Sequence, residues 1–163
     1  MNPPVADRGP LSVVNTPDLA ALVPGQMARH PSFEWTILSG RVPEEDLVVE
    51  LHPRGWPERT ATVQVNSVAE VFSFTFAGHL SHEFAYRDQD RSETLQERID
   101  LAAEAASGPT RVTRDRRGGI TVRSTLVVDP DGPHSRPDVV SYPLRRLKSL
   151  FKAGRSTDRK SVV

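Results

Sequence analysis

The chain contains no cysteine. A disulfide framework, a thiolate metal site and a cysteine nucleophile are therefore excluded, while the redox compartment stays open. No apolar run approaches the ~18 residues that span a bilayer. The start, Met1-Asn2-Pro3-Pro4, also lacks the basic segment and apolar stretch of a secretory signal. No transmembrane segment is expected, and the expected location is cytoplasmic. Net charge is lacking too: 21 basic residues balance 21 acidic ones, so the whole molecule is not a generic polyanion binder. No Gly-x-Ser-x-Gly elbow occurs, and Gly118-Gly119 lacks the further glycine and the Gly-Lys-Ser/Thr run of a phosphate cradle. Nothing calls for a cofactor.

What is present reads as one domain with margins, as 163 residues suggest. Residues 1–142 carry 14 Arg, no Lys and 20 acids, whereas residues 143–163 carry seven basic residues and one acid, so an acidic body precedes a basic tail. Residues 1–31 are proline-rich and read as an arm with one short helix. Thr16 would cap that helix, Pro17 would open it, and Pro24-Gly25 would stop it. Residues 32–142 form the expected α+β domain. Residues 143–163 read as a basic amphipathic helix, with Leu144, Leu147, Leu150 and Phe151 along one side, and a flexible tail.

Within the domain the apolar period is two. Strands are predicted at Phe33–Ile37, Leu47–His52, Thr60–Val65 and Val71–Ala77, with a short fifth at Phe84–Tyr86. Phe72, Phe74 and Phe76 share one face, and at ~150–250 Å² per ring they form much of the core. A helix follows. Asp90 and Glu93 stand at capping-box spacing, and Leu95, Ile99, Ala102, Ala103 and Ala106 make its stripe. Glu93, Glu97, Arg98, Asp100 and Glu104 are placed on its wet side, and Gly108 at a left-handed C-terminus. A hairpin of Thr110–Asp115 and Ile120–Asp129, turning around Arg116-Arg117-Gly118-Gly119, completes the order β-β-β-β-(β)-α-β-β. The expected fold is α+β: a mainly antiparallel sheet of about six strands, one main helix packed on one face, and a C-terminal basic helix.

Chemistry is sparse. His79 and His82, three apart in a segment read as a loop with Glu83 adjacent, are the candidate metal ligands, with His52 as a neighbour. Five arginines, Arg111, Arg114, Arg116, Arg117 and Arg123, gather on one hairpin. With the C-terminal tail they offer a contact for nucleic acid or an acidic partner, against the plainer reading of a charge-protected edge. No catalytic residue is singled out. The leading expectation is a non-enzymatic protein-binding module, of the kind of a small bacterial accessory or immunity-like protein. Glu93, Glu97 and Asp100 would steer a basic partner protein, Trp35 or Trp56 would anchor it, and Arg116 and Arg117 would add contacts. The alternative is a small metal-dependent or acid-base hydrolase centred on His79, His82 and Glu83.

Overall fold

The three phenylalanines decide which way the first sheet faces. The structure is a computed structural model that describes residues 14–40, 45–142 and 159–162. In it β1 (Phe33–Ser39), β2 (Glu45–Pro53), β3 (Ala61–Asn66), β4 (Val71–Phe76) and β5 (His79–Phe84) form a five-stranded antiparallel meander in sequence order. Phe72 and Phe74 are fully buried and Phe76 nearly so. Opposite Phe72 and Phe74 lie Val65 and Val63, and the same face continues through Leu47, Val49 and Leu51. Ala77 and Gly78, at φ 46° and 75°, close the two-residue β4–β5 turn. That mirror-image turn matches the strand twist.

Two helices precede and follow this sheet in sequence. The main one, α2 (Asp88–Ser107), lays Leu95, Ile99, Ala102 and Ala106 on β2, β3 and β4, so small alanines let it approach the phenylalanine face as expected. Its ends differ from expectation. The helix begins two residues before Asp90, at the Arg87 N-cap, and no side chain caps it, so no Asp90–Glu93 capping box forms. Gly108 is extended (φ −103°, ψ 179°) rather than left-handed. Arg59, from the 3-10 turn Pro57–Arg59, takes over C-terminal carbonyls. Arg98, placed by sequence on the wet side, is 9% exposed.

The earlier helix, α1 (Thr16–Arg29), is capped by Asn15 rather than Thr16. Asn15 and Asp18 exchange side-chain and backbone hydrogen bonds in a capping box. It also runs on through Pro24-Gly25, where a stop was predicted. Leu19 and Val23 bury the first half, while Gln26 bonds Gln96 and Arg29 bonds Asp100 beyond the proline, so contacts with α2 outweigh the missing backbone donor.

After α2 the chain builds a second antiparallel sheet rather than extending the first. β6 (Thr110–Arg117), β7 (Ile120–Val128) and β8 (Arg136–Ser141) are joined by β9 (Arg159–Val162) in the order β8-β7-β6-β9. The single sheet of about six strands is therefore corrected to two. The β6–β7 turn is shorter than expected: Arg116 and Arg117 pair in β6, and only Gly118 and Gly119, both at positive φ, make the turn. β5 meets β7 and β8 through side chains instead of a backbone ladder. Val112, Leu126 and Val128 join the same core as Phe74. The segment read as a His-containing loop is strand β5, and the last residues, read as a flexible tail, include β9, paired with β6. The expected basic helix lies outside the described residues. Among the described residues no helix is long and apolar enough to cross a membrane.

Candidate functional site

The tight β4–β5 turn places His79 directly opposite Phe76, which puts the odd residues of β5 on the phenylalanine face. His79 is fully buried there and Ser81 nearly so. From α2, Arg98 donates through Nη1 to Ser81 Oγ at 3.3 Å and through Nη2 to Glu83 Oε2 at 2.6 Å. From the second sheet come Ser124, whose Oγ lies 2.8 Å from His79 Nδ1, and Asp138, whose Oδ2 lies 3.2 Å from His79 Nε2. One helix and strands of both sheets thus converge on a buried polar cluster.

The hydrogen-bond roles follow from the partners. A carboxylate only accepts, so Nε2–H donates to Asp138, and Nδ1 of a neutral ring accepts from the Ser124 hydroxyl. The His79 hydrogen bond holds the Asp138 carboxyl below its usual range, with Ser81 and the positive charge of Arg98 adding, and together these outweigh burial. A carboxyl that titrates lower when folded stabilises the protein fully above its unfolded value, and that stabilisation is lost as pH falls through the folded value. Thermal melts between about pH 5 and about pH 2 are therefore expected to fall less steeply in Asp138→Asn than in the wild type. Parallel curves would exclude the contact.

Ser124, His79 and Asp138 are the residue types of a hydrolase triad, but their arrangement is that of a clasp. Ser124 is 1% exposed and sits inside a strand. An acylating serine needs an open approach and oxyanion donors beside it, usually on a sharp turn. What the cluster does is tie the two sheets to each other through hydrogen bonds, with Arg98 Nε the one buried side-chain polar atom left without a partner among the described residues.

The residues singled out by sequence are not brought to one place. His79 and His82 stand on opposite faces of β5, because a spacing of three on a strand reverses the side. His82 is exposed and pairs with Ser73 at 2.9 Å, while His52 contacts Thr36, Thr60 and Glu50 on β2's outer face. The structure does not bring the two imidazoles together, and among the described residues no three His, Asp or Glu are grouped to hold an ion. Glu93 and Glu97 are exposed on α2, but Asp100 is engaged by Arg29 at 3.1 Å and His30 at 2.8 Å. Trp35 is half-buried against His30 and Phe33, whereas Trp56 is exposed.

The arginine hairpin does not present one basic face. Arg114 turns back to donate to the Ala77 carbonyl, and Arg111 pairs with Asp131. A register shift between Asp115 and Arg116 separates Arg116 and Arg117 from the rest. Sequence reasoning missed Arg98, Ser124, Asp138 and the exposed rings of Phe84 and Tyr86. The signal for Arg98 was its place on the helix stripe, seven after Arg91, with Leu95 and Ala102 between and beyond. Ser124 and Asp138 depend on a sheet-to-sheet contact that no local pattern encodes.

No family model matches the chain, and no match was found among curated proteins or solved structures.

Proposed function

We propose that the chain is a non-enzymatic protein-binding module. The observation that carries this reading is a pair of aromatic rings, Phe84 and Tyr86, stacked on each other at 6.1 Å and 20° yet 55% and 70% exposed. Between them Ala85 is buried and its N–H bonds the Glu70 carbonyl, so the rings are held out from a fixed backbone. Rigid aromatics of this kind are the usual anchors of an interface, because they bury a large area at little cost in conformational freedom.

The surroundings favour a basic partner. Val68, 58% exposed, lies in the β3–β4 turn at the same end of the sheet, since Val71 is opposite Phe84. Past the exposed Arg87, Asp90 and Glu93 lie in the first turns of α2, while Asp88 is paired with Arg91 at 3.0 Å. An apolar centre with an acidic rim suits a partner of opposite charge. Trp56 offers a second anchor at the other end of the sheet, beside the start of β3.

A pull-down from lysate of the source cells, comparing wild type with Phe84→Ala/Tyr86→Ala, tests this. The captured protein is expected to be lost from the variant, because removing an anchor ring typically costs about 2 kcal/mol or more, roughly 30-fold in Kd. Unaltered melting temperature would confirm that the scaffold is intact. Equal capture by both proteins overturns the reading.

A further inference from the structure

Among the described residues two sheets present four edges, and on three of them something discourages a further strand. β5 is met by β7 and β8, with the Tyr142 hydroxyl donating to the Leu80 carbonyl at 3.4 Å. β8 carries Arg136, Pro137 and Asp138, and β9 carries Arg159 and Lys160. Among the described residues β1 has only Glu34, near its start. Trp35-Thr36-Ile37-Leu38-Ser39 contains no charge and no proline, and its register with β2 is unbroken from Phe33 to Ser39.

The backbone polarity of that edge can be read off its ends. Arg54 N–H donates to the Ser32 carbonyl and Gly40 N–H to the Asp46 carbonyl, in the same register that sets Phe33 opposite Pro53. In an antiparallel pair such bonds recur at every second residue. Even-numbered residues of β1 therefore bond β2, while the N–H and C=O groups of Trp35, Ile37 and Ser39 point to the open edge.

We infer that β1 pairs antiparallel with β1 of a second copy of this chain, across a two-fold axis at Thr36, joining the two five-stranded sheets into one. Trp35 then stands opposite Ile37 of the second copy, both with outward backbone groups, so each donates to and accepts from the other. Shifting the pairing by one residue would set outward groups against inward ones. On one face Trp35 covers Ile37 of the second copy, a side chain now 38% exposed, and an aromatic ring beside a β-branched residue is a favourable cross-strand pair. On the other face Thr36 meets its own copy and Glu34 meets Leu38, so no like charges oppose each other. A strand that is complementary to itself under a two-fold rotation is what an isologous dimer needs.

Sedimentation equilibrium of the full chain from about 1 to about 100 µM is the experiment. The wild type is expected to dimerise within that range. Thr36→Lys and Thr36→Glu, at an exposed position, each set like charges face to face on the axis and are expected to weaken dimerisation at least about tenfold. An equimolar mixture of the two is expected to recover it, because Lys then meets Glu. Ile37→Lys gives an independent reading and is likewise expected to be monomeric, with circular dichroism confirming that each variant is folded. A wild type that stays monomeric, variants that dimerise like the wild type, or a mixture no tighter than its components overturns the inference.

Discussion

Replacing Phe74 by alanine is expected to destabilise the protein by about 3–5 kcal/mol, a large part of the 5–15 kcal/mol that holds a typical domain together. Phe74 is fully buried in β4, between Val63 of β3 and Ser81 of β5, and its ring lies 6.3 Å from that of His79. Truncation removes the transfer free energy of the ring and leaves a void that strands held on both sides cannot close. Urea unfolding should show a lower midpoint at an unchanged slope, since the surface exposed on unfolding is nearly the same. Thr75→Ala is the control. Its side chain points to the other face, and a change there should stay within about 0.5 kcal/mol. Equal effects at the two positions would mean that the face assignment of β4 is wrong.

The same strand shows what the sequence could reveal and where it fell short. Phe72, Phe74 and Phe76 alternate with Ser73 and Thr75, a local period that needs no tertiary information, and the structure has that face inward beneath α2. The hairpin around Gly118-Gly119 was legible too, because adjacent glycines supply the positive φ values of a tight turn, although its first strand runs two residues further than the sequence suggests. By contrast β5 has no apolar alternation. His79 and Ser81 are its buried residues, with Glu83 exposed further along the same face, and polar side chains on a buried face read as a loop until their partners on α2, β7 and β8 are known. The division into two sheets was hidden for the same reason, since which strand pairs with which across a helix is a long-range choice. α1 continued past Pro24 because contacts from Gln26 and Arg29 to α2 compensate for a local break. Of the candidate site, Trp56, Glu93 and Glu97 are exposed and Trp35 is half-buried. His79 and His82 lie on opposite faces of β5 by strand parity, which a loop reading does not reveal.

Arg59→Ala is expected to cost about 2–3 kcal/mol, although Arg59 lies on a short turn and is half-exposed. The last carbonyls of a helix have no intrahelical donor. α2 has no basic residue in its last turn, and Gly108 does not adopt the left-handed conformation that would bring backbone donors back to them. Arg59 fills the need: Nε donates to Ala106 O at 2.8 Å, and Nη2 donates to Ala105 O at 2.9 Å and Gly108 O at 2.6 Å. Its guanidinium also lies 5.6 Å above the Phe76 ring, so the same group fixes the helix end to the phenylalanine face. Charge-assisted bonds to carbonyls at the negative end of a helix dipole are among the stronger single contacts available to a side chain. Lysine keeps the charge but not the planar fork, so Arg59→Lys should recover only part of the loss. Thermal melts of the two variants decide the matter. A full rescue by lysine would reduce the role to charge at the helix end, and a loss below about 0.5 kcal/mol in Arg59→Ala would mean that water caps α2 equally well.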